Sequence, residues 1–503
     1  MSGLVPTRPS PYVFRWAAVS GGLIVFAILL SLTPPEGLSV RGWTVLCIGV
    51  LMTIYWFTEA IPVTMTGLLP FLLMPLLGVR SSAQVAASYF TPVLFLILGG
   101  FFLALAMEKW GLHRRVALFA LSKAGGGARS VMLAVMGSTA LVSMFVSNSA
   151  ATLAMLPVAL AIVVAVGGTS AADTGEAAQS PLQPVNSVET AEQQRFGSAM
   201  VLGIAYAATM GGFGTIIGSP GNAAAVAIFQ QVYDREISFN LWAAFGLPIV
   251  VLGVPIAWWL LSRVVFPFRL SGLDPAVIRA TVGDPGAWSA ADFRLLMILG
   301  GALLGWIFMP FIRQVVPGMS DAHVALLAAL SLFLIPAGGP GPDRLRPLMQ
   351  WEDTKLAPWH LLILLGGGLA LAEAINSTDL SQWLQQQFSG ASAFPAFWQL
   401  VVLAVATLFV TEFLTNTATV AAFLPATVAL ASSGQLDPLT LGMVVALAAN
   451  WGFMMPAGTP ALALAYGTGR LRVSQMAYSG LLMDVVGVVL ILAVVLGVGA
   501  LVL

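Results

Sequence analysis

The sequence predicts an all-α polytopic membrane protein with eleven transmembrane helices and two re-entrant helical hairpins, arranged as inverted repeats. Three observations carry that prediction. Of 503 residues, 58% are hydrophobic and only 8% are charged, against about 25% charged in a soluble domain. Mean hydropathy is +0.93. Long apolar runs recur along the chain, and two of them are split by the same kind of polar tripeptide. The composition excludes a soluble enzyme, a disordered chain and a fibrous protein. The balance of 21 basic and 21 acidic residues leaves no net field to recruit nucleic acid. The one cysteine, Cys47, lies in an apolar run and has no partner for an internal disulfide.

A spanning helix needs about 20 apolar residues, because the hydrocarbon core is about 30 Å thick and each residue rises about 1.5 Å. Candidate spans lie near 14–33, 41–57, 61–79, 90–108, 198–229, 240–266, 292–311, 320–337, 357–376, 438–467 and 477–502. The first follows Arg8 and Arg15, and its apolar run exceeds the roughly 7–15 residues of a signal-peptide core. No small-residue cleavage site is evident, so it is read as a retained helix within an N-terminal segment, 1–39.

The stretches 131–166 and 397–432 do not fit single spans, because polar centres divide them: Ser147-Asn148-Ser149 and Thr415-Asn416-Thr417. Two full crossings would put each tripeptide in a surface turn. A re-entrant hairpin would put it near mid-membrane, where irregular backbone is tolerated only against protein or a water-filled cavity. Almost no loop residues separate the arms, which favours hairpins. With the N-terminus in the cytoplasm and the C-terminus outside, eleven crossings place 17 of the 21 Lys and Arg inside. The positive-inside rule expects that bias, and the spans fit a multi-pass protein of the cell (plasma) membrane.

The chain also resembles itself. Residues 97–106 (ILGGFFLALA) parallel 364–372 (LLGGGLALA), and each copy precedes an Asn-centred hairpin. Each hairpin precedes a helix broken by Gly, Ser or Thr, and Pro: Gly218-Ser219-Pro220-Gly221-Asn222, then Gly458-Thr459-Pro460. From Asn148 to Gly218 is 70 residues, and from Asn416 to Gly458 is 42. The polar segment 168–196 accounts for the excess as an inserted cytoplasmic loop. One repeat covers 40–266, with its broken helix at 198–229. A cytoplasmic linker at 267–289 leads to the second repeat, 290–503, with its broken helix at 438–467. The repeats begin on opposite sides of the membrane, and paired interruptions in inverted halves point to a transporter's substrate site.

Four interruptions are therefore expected to converge near the bilayer midplane. They offer hydroxyls from Ser143, Ser147, Ser149, Ser219, Thr411, Thr415, Thr417 and Thr459, amides from Asn148 and Asn416, and freed backbone carbonyls. Such uncharged oxygens suit a monovalent cation, while helix N-termini suit an anion. Residues 130–166 and 396–432 contain no Lys, Arg or His. A doubly charged anion entering there needs compensation, since isolated buried charge costs many kcal/mol. Bound cations would supply it, which predicts cation-coupled symport.

Glu412 precedes the second tip, where the first hairpin has Met144. An intramembrane carboxylate is functional by default, and this one reads either as hydrogen-bonding support or as a proton relay. No Gly-Lys pair exists for a Walker A loop. His113, His323 and His360 are scattered without metal-ligand spacing. No enzymatic activity and no organic cofactor are expected.

At these motifs the chain resembles the divalent-anion/sodium symporter family, the INDY-type carboxylate and sulfate transporters, over essentially its whole length. Residues 56–62 (WFTEAIP) are similar to the family's early signature, and the two tripeptides to its Ser-Asn-Thr motifs. Gly218-Ser219-Pro220 and Gly458-Thr459-Pro460 are similar to its two unwound loops. The resemblance implies a homodimer in which each chain draws a scaffold domain and a mobile transport domain from both repeats and works as an elevator. It also implies Na+ as the coupling ion, one ion at Ser143, Ser147, Asn148 and Gly218. A second would sit at Thr411, Leu414, Asn416 and Gly458. The anion would contact Ser147, Asn148, Ser149, Pro220, Thr415, Asn416, Thr417 and Pro460. The chain departs from the pattern at Ser149, Thr415 and Pro460-Ala461-Leu462, where Thr, Ser and Pro-Asn are expected. A C4-dicarboxylate such as succinate or malate is the first expectation. The alternatives are a sulfate or other oxyanion symporter, a sodium-independent dicarboxylate exchanger, and, from another class, a cation/proton antiporter using Glu412.

Overall fold

Proline and glycine, more than polar loops, divide the apolar runs into helices. The computed structural model describes residues 11–123, 125, 127–166, 191–270, 286–339, 344–388, 395–431, 436–456 and 458–502. Residues 168–190 of the expected inserted loop, 271–285 of the expected linker and 1–10 of the N-terminal segment lie outside the described residues.

The first half contains α1 (Pro11–Ser31), α2 (Val40–Thr58), α3 (Val63–Thr66), α4 (Leu69–Leu76), α5 (Ser82–Ala87), α6 (Pro92–Lys109) and α7 (Leu112–Lys123). The hairpin arms α8 (Ala128–Ser143) and α9 (Asn148–Val166) follow, then α10 (Ala191–Gly212), α11 (Pro220–Tyr233) and α12 (Phe239–Leu260). The second half contains α13 (Ala290–Ile307), α14 (Met309–Val315), α15 (Asp321–Leu334), α16 (Trp359–Asn376) and α17 (Leu380–Phe388). Its hairpin arms are α18 (Ala396–Thr411) and α19 (Asn416–Ala431), followed by α20 (Pro438–Ala449), α21 (Pro460–Gly467) and α22 (Val473–Val502). Among the described residues, the only β pairing outside these helices is an isolated bridge between Pro336 and Pro347. Seven helical segments among the described residues are long and apolar enough to cross a membrane.

Several expected spans are subdivided. The run 61–79 is not one helix. Pro62 begins α3, which ends at Gly67, and α4 restarts with Pro70 in its first turn. The run 198–229 becomes α10, a 3-10 turn at Ile216–Gly218 and α11. The run 438–467 becomes α20 and α21. The run 292–311 ends at Ile307, and Pro310 opens α14. The helices α7 and α17 join the spans; their charged or amide-rich sequences, LHRRVALFALSK and LSQWLQQQF, fall below any spanning criterion.

The hairpin arms α8, α18 and α19 are each 16 residues long, about 24 Å at about 1.5 Å per residue, short of a full hydrocarbon crossing. Their packing exchanges partners between halves. Hairpin α8–α9 packs on α10 of its own half and on α21 of the other, while hairpin α18–α19 packs on α20 of its own half and on α11 of the other. Small residues permit these approaches, as expected where lipid supplies no hydrophobic drive between helices. Gly211 on α10 lies against the Ala140 backbone of α8, Gly367 on α16 against the Gly67 backbone, and Gly246 on α12 against the Phe213 carbonyl. A large core surrounds α6, α8–α12, α15 and α20–α22. A second core joins α2, α4, α16 and α17 through Ile48, Met52, Met74, Ala370 and Leu380.

A Cβ at Gly211 would collide with the Ala140 carbonyl, whereas one at Gly21 would meet nothing within 4 Å. Gly211→Ala is therefore expected to cost about 1–3 kcal/mol through overpacking. Thermal unfolding in detergent should show a lowered midpoint for Gly211→Ala and none for Gly21→Ala.

Candidate functional site

Both tripeptides sit at the turn between two hairpin arms, and each asparagine is the first residue of the second arm. The residue before it caps that arm. Ser147 Oγ accepts from Ala150 N at 3.3 Å, and Thr415 Oγ1 accepts from Ala418 N at 3.4 Å. A hydroxyl accepting from the third N–H onward is the usual way to satisfy a helix start, and it leaves the asparagine amide free to face the protein.

In the first half, Ser143 Oγ donates to the Ala208 carbonyl at 2.7 Å and lies 2.9 Å from Asn148 Oδ1. Oδ1 of Asn148 faces acceptors only, with Ala208 O at 3.1 Å and Gly218 O at 3.2 Å. A rotated amide would donate to all of them; equally, a monovalent cation at their centre would be held by four oxygens. The second half repeats the arrangement. Thr411 Oγ1 donates to the Ala449 carbonyl at 2.5 Å and lies 3.2 Å from Asn416 Oδ1. Ser143 and Thr411 are fully buried. Five residues separate hydroxyl from amide in both halves, and both carbonyls come from the helix just ahead of an unwound segment.

The unwound segments are 213–219 and 450–459. Ser219 and Thr459 cap the helices that resume, and Pro220 and Pro460 occupy their first positions, where a missing N–H costs nothing. Gly218 folds back so closely that a Cβ there would meet Gly212, and Gly458 lies beside Glu412 and the Met455 carbonyl. Ser147, Asn148, Ser149, Asn416 and Pro220 are half-buried, Thr417 and Leu414 are buried, and Thr415 and Pro460 are exposed. The structure thus brings Ser143, Asn148 and Gly218 together in one cluster and Thr411 and Asn416 in the other, while Ser147 and Thr415 engage their own backbone.

Three further side chains build the site. Asn450, at the end of α20, joins the halves: its Oδ1 accepts from Ser219 Oγ at 2.9 Å and from Asn416 Nδ2 at 3.4 Å, and its Nδ2 donates to Ala446 O at 2.8 Å. An amide closing an otherwise apolar run was visible in the sequence, but it lies outside the motifs. Asn222 Nδ2 donates to the carbonyls of Gly212 and Thr215, at 2.7 and 2.8 Å, and holds the first unwound segment. Leu462 stands at the corresponding place in the second half, where Thr459 Oγ1 instead accepts from Leu462 N at 3.3 Å.

Glu412 is 2% exposed. Its Oε1 accepts from Phe453 N at 2.7 Å and Met454 N at 3.1 Å, and its Oε2 accepts from Met454 N and Met455 N, both at 3.0 Å. This carboxylate holds the second unwound segment through three consecutive N–H groups. Asp484 on α22 lies behind it, its carboxyl group within hydrogen-bonding reach of that of Glu412. At the first tip, Met144 instead offers its carbonyl to Thr215 Oγ1. Among the described residues no group of three or more His, Cys, Asp or Glu could hold a metal ion.

Helical hairpins tipped with asparagine, paired across two halves with broken helices, define a membrane transporter built on an internal repeat. The chain belongs to the sodium:sulfate symporter family: the model described as "Sodium:sulfate symporter transmembrane region" matches residues 14–502. It is 34% identical over 479 residues to the sodium-dependent dicarboxylate transporter SdcS of Staphylococcus saprophyticus, covering 94% of this chain and 89% of that one. The SdcS protein of Staphylococcus aureus is 35% identical with the same coverage. Among solved structures, the YdaH transporter of Alcanivorax borkumensis shares the fold, with a TM-score of 0.50, 15% identity, and coverage of 96% of this chain and 97% of that one.

Glu412→Gln would turn an amide NH2 toward backbone N–H donors, and hydrogen bonds to a charged group are worth about 1.5–3 kcal/mol each. The expected outcome is a clearly lowered thermal midpoint for Glu412→Gln. Met144→Leu, at the equivalent place, should leave the midpoint near that of the parent chain.

Proposed function

We propose that this chain is a secondary active transporter that carries a divalent anion into the cell together with sodium, the anion being a C4-dicarboxylate such as succinate or malate. The observation that carries the reading is the pair of uncharged oxygen clusters around Asn148 and Asn416, each made of a hydroxyl, an amide and a carbonyl from the helix ahead of an unwound segment. Oxygens without fixed charge suit Na+. The hairpins offer the anion no cationic side chain, so bound sodium would provide the compensating charge, assisted by the N-terminal N–H groups of α9, α11, α19 and α21. The relatives named as sodium-dependent dicarboxylate transporters support the same substrate class.

In this reading one sodium sits at Ser143, Ser147, Asn148 and Gly218, and a second at Thr411, Leu414, Asn416 and Gly458. The anion lies between the tips, against Ser147, Asn148, Ser149, Pro220, Thr415, Asn416, Thr417 and Pro460. Eleven crossings place the N-terminus in the cytoplasm and the C-terminus outside the plasma membrane. Two chains associate, and in each a transport domain holding both hairpins and both broken helices moves against a scaffold. The family model's description keeps sulfate as the second reading of the substrate. An antiporter working through Glu412 fits poorly, because both oxygens of that carboxylate already accept backbone hydrogen bonds.

Uptake of labelled succinate into proteoliposomes tests the proposal. Uptake is expected with sodium, not with potassium or choline, and unlabelled sulfate should leave it unchanged. Asn148→Ala and Asn416→Ala should each reduce it to background, with apparent sodium affinity falling first in any residual activity. Sodium-dependent block by sulfate would reassign the substrate to an oxyanion. Exchange of preloaded substrate without sodium would overturn the coupling.

A further inference from the structure

The arginines on the face read as cytoplasmic are not distributed evenly. Several basic groups there have protein acceptors: Lys109 pairs with Asp353 at 2.5 Å, Arg115 with Asp292 at 3.0 Å, and Arg294 donates to Pro336 O at 2.6 Å. Four others converge on one cavity of about 700 Å³, formed by the start of α8, the start of α10 and the segment that follows α12. They are Arg129, Arg195, Arg263 and Arg269, and among the described residues the acidic one lining the cavity is Glu192. One oxygen of Glu192 is already taken by Arg269 N at 2.9 Å.

The cavity has an ordered wall. Arg129 donates to Phe268 O at 2.8 Å, and its guanidinium carbon lies 5.5 Å from the centre of the Phe268 ring. Its Nε is buried and has no partner among the described residues. Arg263, Arg195 and Arg269 are exposed at the rim. Among the described residues, four guanidinium groups share this concave space with one carboxylate, and guanidinium forks are matched in geometry to phosphate oxygens.

An apolar track leads into this cavity. Leu247, Val251, Pro255 and Trp259 are all exposed and recur every four residues as an inclined ridge that winds around α12 by about 40° per step. The next step of that ridge reaches Arg263. The track from 247 to 263 is about 24 Å long at about 1.5 Å per residue, comparable to one acyl chain. A free phosphate has no use for such a track; a molecule with a phosphate head and hydrocarbon tails does.

We propose that the Arg129–Arg195–Arg263–Arg269 cavity is a binding site for the headgroup of an anionic phospholipid whose acyl chain lies along α12. The lipid is a bound ligand, separate from the transported anion, because the cavity lies at the opposite end of α8 from Ser143 and Asn148. Basic pockets at the cytoplasmic ends of membrane helices recognise anionic headgroups through each arginine's attraction to the phosphate.

The test is native mass spectrometry of the purified full chain in detergent, titrated with phosphatidylglycerol, with phosphatidylcholine, and with inorganic phosphate alone. The parent chain should retain phosphatidylglycerol at least about tenfold more tightly than phosphatidylcholine, and millimolar inorganic phosphate should not displace it. Removing three charges in Arg195→Gln/Arg263→Gln/Arg269→Gln should weaken phosphatidylglycerol binding by roughly a hundredfold and abolish the preference, while the matching triple Lys variant retains most of it. Arg263→Gln alone, at an exposed position, gives a partial loss and serves if the triple variant is not monodisperse. An unchanged preference in the Gln variants would overturn the site. Displacement of the lipid by inorganic phosphate would overturn the lipid assignment in favour of a soluble anion.

Discussion

A helix that ends inside an apolar slab leaves N–H and C=O groups that water cannot reach, and this fold is organised around meeting that demand. Four helices begin beside the unwound segments and hairpin turns, and each has its own acceptor. Ser147, Thr415, Ser219 and Thr459 cap the starts of α9, α19, α11 and α21. The unwound segments ahead of α11 and α21 are held by Asn222 and Glu412 through direct backbone contacts. Once those groups are satisfied, the remaining oxygens of Ser143, Thr411, Asn148 and Asn416 are available to a ligand. The two oxygen clusters are what is left over when the interruptions have been stabilised.

The halves meet the same demand with different chemistry. In the first, neutral groups hold the unwound segment: an amide from Asn222 and the hydroxyl of Thr215. In the second, the carboxyl group of Glu412 does so, with that of Asp484 behind it. The second oxygen cluster therefore has two acidic side chains behind it where the first has neutral groups. Similar oxygens are thus backed by different chemistry in the two halves.

Much of the architecture was readable in the sequence because the bilayer imposes a length and a polarity on every spanning segment. The paired tripeptides and paired Gly–Pro breaks singled out residues that the fold gathers around Asn148 and Asn416, since few other patterns put Asn inside an apolar run twice. The subdivision of 61–79 was not readable in hydropathy alone: Pro62, Gly67 and Pro70 interrupt a run whose side chains remain apolar throughout. Asn450 was missed because its role depends on a partner, Ser219, in the other half. The contacts of Glu412 were likewise beyond sequence, since they depend on how the backbone of 453–455 turns.

The exchange of partners between the halves has a consequence for biosynthesis. The hairpin α8–α9 packs on α21, which begins at Pro460, almost 300 residues after α9 ends at Val166. At roughly 5–20 residues per second, the ribosome needs on the order of 15–60 s to supply that partner. During the interval the first hairpin has α10 beside it but not α21. A chain built this way must hold its first hairpin in a provisional arrangement until α21 is made, so a segment synthesised late decides whether an early hairpin is ever fully packed.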